Sequence, residues 1–229
     1  MKAGRYFVSV LVDENKQNIV PTDVNDGIGI DLGVKDFAII SNSQKPVKNI
    51  NKSTKVKKLN KSLRRQQKKL SRKYEGLNKQ TKRKGDTTRQ NIRKQVLKVQ
   101  KIHRRITNIH ENHVNQTVNK IVKQKPSFIT IEDLNVRGMM KNRHLSKAVA
   151  QQCFNQFKVK LTDRCKINGI ELRIVDRFYP SSKLCSCCGY IKKDLKLSDR
   201  VYVCECGNEM DRDKNAAINL KNAKTYKIA

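Results

Sequence analysis

Residues 181–220 read SSKLCSCCGYIKKDLKLSDRVYVCECGNEMDRDKNAAINL. Five cysteines fall here in two clusters, and each cluster closes on Cys-Gly, at Cys188-Gly189 and Cys206-Gly207. A glycine at that point lets the backbone turn tightly and aim N–H groups back at a thiolate. This reading selects Cys185 and Cys188 from the first cluster, and Cys204 and Cys206 from the second, as four ligands of a tetrahedral zinc ion. The second pair is Cys-x-Cys, one residue short of the usual spacing, so its knuckle must be tighter. Cys187 is left over, as a spare thiol or an alternative ligand. A zinc ribbon is expected over 181–210, and four thiolates would make its ion structural.

Directly behind the second cluster, Asp211-Arg212-Asp213 runs into a helical pattern in which Ala216, Ala217 and Leu220 share an apolar side. Asp is a favoured N-cap, so the plain reading of Asp213 is a helix start. The same position also presents a carboxylate at a fixed angle beside a metal-braced loop. That second role needs further carboxylates elsewhere in the chain.

The composition points toward a polyanion. Lys plus Arg number 51 against 20 Asp plus Glu among 229 residues, a formal net charge of +31. Such an excess repels itself in a compact body unless something neutralises it, and nucleic acid is the expected neutraliser. No apolar run is long enough to span a bilayer. The opening MKAGRYFVSVLVDENK lacks the continuous apolar core of a signal peptide, so a reducing, cytoplasmic setting is expected. There, clustered cysteines speak for metal rather than disulfides.

Taken in order, 5–12 alternate like a strand and 13–26 read as a polar loop. In GIGIDLGVKDFAII, Ile28, Ile30 and Leu32 share one face, and Gly29, Asp31 and Gly33 the other. Asp31 therefore projects from a sheet between two glycines, which leave room for a ligand or for backbone. Residues 37–40 return as a strand. From Lys52 to Lys125 the pattern becomes an amphipathic helical hairpin with narrow apolar stripes, broken near Gly76 and Gly85. Between Lys52 and Arg105 the only acids are Glu75 and Asp86. Lys55, Lys58, Arg64, Arg65, Lys68, Arg72, Arg93, Arg104 and Arg105 are therefore candidate phosphate contacts. His103, His110 and His113 read as seam or surface residues.

Residues 128–134 (FITIEDL) read as a strand ending in carboxylates, with Glu132 on the face of Phe128 and Thr130. Residues 135–145 read as a loop, 146–168 as one helix with a stripe of Val149, Cys153, Phe157 and Leu161, and 171–178 as a strand. Cys153 and Cys165 read as core residues. Asp31, Glu132 and Asp213 are thus three carboxylates that could meet at one sheet edge. They would repel each other unless divalent cations compensate them, and oxygen ligands suit Mg²⁺ or Mn²⁺.

Four stretches in this order, GIDLGVKDFA, ITIEDLNVRGM, YPSSKLCSCCGY and CECGNEMDRDKNAAINL, resemble the OrfB/TnpB proteins of bacterial insertion sequences, which are similar to the nucleases of type V CRISPR systems. The resemblance implies an α/β fold of ribonuclease H-like (RuvC) type. Its mixed sheet would carry a basic helical-hairpin insertion and an inserted zinc ribbon. It also implies an RNA-guided DNA endonuclease, commonly described as a transposase. Asp31 matches the first catalytic Asp, Glu132 the catalytic Glu and Asp213 the last Asp, with Asp211 its competitor; these three would hold the Mg²⁺. The expected domains are a remnant of a wedge-like β domain (1–26), a nuclease core (27–180) with its arm (about 52–125), the ribbon (181–210) and a last nuclease segment (211–229). Expected partners are DNA, a guide RNA, and a missing N-terminal recognition domain or a transposase. The rival expectation is a catalytically idle nucleic-acid-binding remnant.

Overall fold

In the computed structural model, which describes residues 6–13, 26–78, 89–196 and 198–229, Gly27–Leu32 forms strand β1 near the middle of a six-stranded sheet. β2 (Asp36–Ile40) returns antiparallel to it with Ile40 opposite Ile30, and β3 (Val47–Lys48) pairs beyond. On the other side of β1, β4 (Phe128–Glu132) and then β5 (Glu171–Val175) run parallel. The C-terminal strand β8 (Lys227–Ile228) closes the free side of β5. The sheet order is β3-β2-β1-β4-β5-β8. A two-stranded ribbon, β6 (Val201–Val203) and β7 (Glu209–Asp211), stands apart from that sheet.

The chain divides into two compact units. One combines the described part of 1–15 with 50–113, the other the described part of 16–49 with 114–229. In the first, α1 (Thr54–Asn78) and most of α2 (Arg89–Val122) bury Val56, Leu63, Ile92 and Val99, the narrow stripes expected of a hairpin. Gln95 is buried among them and donates its amide to both the carbonyl and the side chain of Gln66. His110 bonds Asn51 at 2.8 Å, and burial lowers its pKa.

In the second unit the two sheet faces receive different partners. Ile28, Ile30, Ile129 and Ile131 point into a core with Val118 and Ile121 from the end of α2 and Phe157 and Leu161 from α5 (Phe154–Asn168). Phe37 stacks on Phe154 and meets Phe157 edge-on. The opposite face takes α6 (Arg212–Lys221) directly against β1 and β4. Cys165 is core, as expected, and burial pushes its thiol up to about 12.

Four local expectations change. Residues 6–12 form no strand, and their apolar side chains, such as Val8 and Leu11, lie exposed. Alternation alone does not hold a strand; it needs a hydrogen-bonded neighbour. Gly76 lies inside α1, while Gly85 falls outside the described residues. The loop expected at 135–145 contains α3 (Val136–Lys141), capped by the Asn135 side chain. The single helix expected over 146–168 is split into α4 (Ser146–Ala150) and α5 by a left-handed Cys153 (φ 58°). The break turns Gln152 inward, where its amide donates to the Val34 carbonyl at 3.0 Å. Among the described residues, no helix is long and apolar enough to cross a membrane.

Candidate active site and metal centre

The parallel register of β1 and β4 pairs Ile30 with Ile131, so the next step along both strands sets Asp31 beside Glu132. Side chains alternate along a strand, so both carboxylates leave the sheet on the face that α6 covers. Asp31 keeps part of its side chain exposed, yet protein surrounds its carboxyl closely. Burial first, then the Asp213 and Glu132 charges, raise its pKa to about 7. Burial also raises Glu132, a shift opposed by a hydrogen bond from the Ser181 side chain. Asp213 lies in the first turn of α6, with Oδ1 3.3 Å from the Arg212 guanidinium. The three carboxylates separated by the whole chain therefore reach one edge of one sheet.

The helix cap expected at Asp213 falls two residues earlier. The N-cap of α6 is Asp211, whose Oδ1 accepts from the N–H groups of Asp213 and Lys214, both at 3.0 Å. Asp211 is exposed and committed to the helix end, whereas Asp213 is the larger charge felt by Asp31.

Gly29 explains how a helix can lie so close. A Cβ there would stand 2.0 Å from the Ala217 carbonyl oxygen and 2.4 Å from the Lys221 nitrogen. The room left beside Asp31 is thus filled by backbone of α6. Lys214 fixes that helix to the end of β2, its Nζ donating to the carbonyls of Ile40, Ser41 and Ser43 at 2.6–3.0 Å. Asn215 and Asn219, both buried, fix it to the cysteine module. Asn215 donates to Leu184 and accepts from the Ser186 N–H, and Asn219 donates to Ser181 and Leu184. Lys214, Asn215 and Asn219 were not singled out by sequence. The signal of the two asparagines is polar residues spaced i, i+4 inside an otherwise apolar face.

The sulfurs of Cys185, Cys188, Cys204 and Cys206 all lie within 4.8 Å of one another. Cys185–Cys206 and Cys188–Cys204 are each 3.6 Å apart. A tetrahedron with metal–sulfur bonds of about 2.3 Å has edges of about 3.8 Å, so a metal ion fits. Gly189 and Gly207 adopt left-handed φ angles of 77° and 86°, the tight turns the sequence called for. Burial opposes ionisation of Cys185, but N–H groups of Cys188 and Cys187 and the Asn208 amide outweigh it and lower its pKa to about 6. Cys206 is pushed up to about 12 by the neighbouring sulfurs, against a lowering bond from the Asn208 backbone. Thiols this crowded cannot all ionise unaided; a divalent ion would let them. Tyr202 lies buried beneath, bonded to the Lys183 and Tyr190 carbonyls. Cys187 is exposed and outside the four-sulfur group.

Among the nine basic candidates, eight are exposed on α1 and α2. Arg104 differs: half-buried, it sits over the Phe7 ring at 5.5 Å. A second cationic group was not anticipated. Arg137, Lys158 and Arg177 line a cleft of ≈ 630 Å³ that also contains Glu132 and Asp133.

A mixed sheet with a carboxylate edge, beneath a helix tied to a four-cysteine module that could hold a metal ion, defines the class as mixed α/β. Comparison with known proteins makes it particular. The chain belongs to the OrfB_IS605 family, described as "Probable transposase", which matches residues 8–143. Residues 154–220 match the Cas12f1-like TNB domain. A "Putative RNA-guided DNA endonuclease" of Streptomyces pristinaespiralis is 32% identical over 220 residues, covering 96% of this chain and 50% of that protein. The "CRISPR-associated endodeoxyribonuclease Cas12f1" of Syntrophomonas palmitatica is 29% identical over 134 residues, 56% of this chain and 26% of that protein. A cryo-EM structure of a Cas12f1–sgRNA–target DNA complex aligns with a TM-score of 0.59 at 21% identity, covering 94% of this chain and 41% of that one. The fold is therefore mixed α/β, like that of Cas12f1. The chain spans about half the length of the curated relatives that it matches along most of its own.

Proposed function

We propose that this chain carries the cleavage machinery of a transposon-associated, RNA-guided DNA endonuclease. Asp31, Glu132 and Asp213 would hold Mg²⁺ or Mn²⁺ and support hydrolysis of DNA phosphodiesters. One observation carries the reading: the β1–β4 register sets Asp31 beside Glu132, and the charge of Asp213 in the first turn of α6 reaches the same closely surrounded carboxyl. Carboxylates gathered in this way are poised for cations. Bound divalent ions would supply activation of water and stabilisation of the leaving oxygen. The chain's own part is placement. Ser181 orients Glu132, Arg212 holds Asp213, and α6 bridges the sheet and the cysteine module.

In this reading the sheet is RuvC-like and spans 27–180 with its basic arm, the module at 181–210 is a zinc ribbon, and 211–229 supplies the last carboxylate. Cys185, Cys188, Cys204 and Cys206 hold a structural zinc that braces the start of α6. DNA and a guide RNA are the partners, as the relatives' names suggest. The test is nicking of single-stranded DNA in Mg²⁺ against EDTA, with Asp31→Ala, Glu132→Ala and Asp213→Ala. Each variant should reduce cleavage at least about a hundredfold. Mg²⁺-dependent cleavage unaffected by all three would remove these residues from the mechanism.

A further inference from the structure

The cleft beside Glu132 has a composition that the carboxylates do not explain. Arg177 and Lys158 both reach Asp133, at 2.8 Å and 3.3 Å, and Arg137 lines the same cavity. Asp133, the residue after β4, is held between these two partly exposed cations, the arrangement a backbone phosphate would also satisfy. Directly after Arg177, Phe178 is 85% exposed, although the preceding strand β5 ends in the core. Its N–H is bonded to Asp176 Oδ1 at 2.9 Å, which ties the backbone of the turn that carries the ring. An exposed aromatic one residue from a cation of the cleft is the pairing that seats single-stranded nucleic acid: charge tracks the backbone and a ring stacks a base.

We infer that Lys158, Arg177 and Phe178 form a nucleotide seat beside Glu132, where a strand phosphate takes the two cations that Asp133 occupies and its base stacks on Phe178. The seat deepens the nuclease reading by naming single-stranded DNA at the same site. It needs no cleavage to be observed.

The chain contains no tryptophan, so Phe178→Trp installs a single fluorescent reporter on this ring. In EDTA, a deoxythymidine 12-mer should quench that fluorescence saturably, whereas an abasic 12-mer of equal charge should not. Binding of the two oligomers through charge alone should not distinguish them, because both carry the same phosphates. Adding Arg177→Ala and Lys158→Ala should raise the half-quenching concentration about tenfold and reduce its salt slope by about one. Asp133→Asn should lower it. Equal quenching by the abasic oligomer, or none by either, overturns the seat. The Asp31→Ala protein with the reporter should still be quenched. Quenching with no cleavage anywhere would then refute the nuclease reading alone, and cleavage without quenching would refute the seat alone.

Discussion

At the scale of single residues, Asp31 sets stability against chemistry. Asp31 is raised in the folded chain, so its protonated form is favoured by folding. The associated stability is fully present below the unfolded pKa near 3.8 and is lost as pH rises through about 7. In metal-free protein, Asp31→Asn should therefore be close to neutral at pH 4. At pH 8 it should stabilise, by up to about 4 kcal/mol. Urea denaturation in EDTA at the two pH values measures this, and destabilisation at pH 8 would contradict it. Asp211 and Asp213 should separate in the same way. Asp211→Ala loses an N-cap and about 1 kcal/mol of stability while retaining cleavage. Asp213→Ala should retain the fold and lose cleavage. Both carboxylates were visible in the sequence, but their division of labour was not. Capping depends on φ and ψ at one residue, and Asp211 and Asp213 look alike in a linear pattern.

Among the elements, α6 does most to make the site. Its approach to β1 leaves no space at Gly29, so Gly29→Ala must push the helix away or strain the strand. A cost of about 1–3 kcal/mol is expected, together with a loss of cleavage beyond what the stability change explains. Thermal denaturation paired with nicking at a temperature where the variant is fully folded checks both parts. The cysteine module reaches the same helix through Asn215 and Asn219. Metal analysis should find about one zinc per chain, lost in Cys188→Ser, Cys206→Ser and kept in Cys187→Ser. Its loss should also lower cleavage, since the start of α6 is no longer braced. The strands β1, β2, β4 and β5, the basic hairpin and the sulfur group were legible because each follows a short period or spacing. The breaks were not. Cys153 interrupts a pattern that reads as one helix because a buried Gln152 amide finds a partner 118 residues away. Residues 6–12 have a strand's alternation and, among the described residues, no strand beside them.

On the scale of the whole molecule, the basic hairpin and the carboxylates belong mainly to different compact units. The hairpin carries a predominantly basic surface on α1 and α2. Binding of DNA or RNA by that surface should be nearly indifferent to sequence and fall steeply with salt, by about a thousandfold or more between roughly 50 and 200 mM. Anisotropy titrations with matched and scrambled oligonucleotides test it; a flat salt response would contradict it. Replacing Arg64, Arg65, Lys68 and Arg72 with Glu should weaken binding without altering the metal requirement of any cleavage. Asp31, Glu132 and Asp213 together should make a divalent-cation site. The most direct measurement is Mn²⁺ binding followed by electron paramagnetic resonance in DNA-free protein with its cysteine module loaded with zinc. The wild-type chain should take up Mn²⁺ with loss of the free-ion signal, and Asp31→Ala and the triple alanine variant should not. Equal uptake by all three proteins would contradict the account.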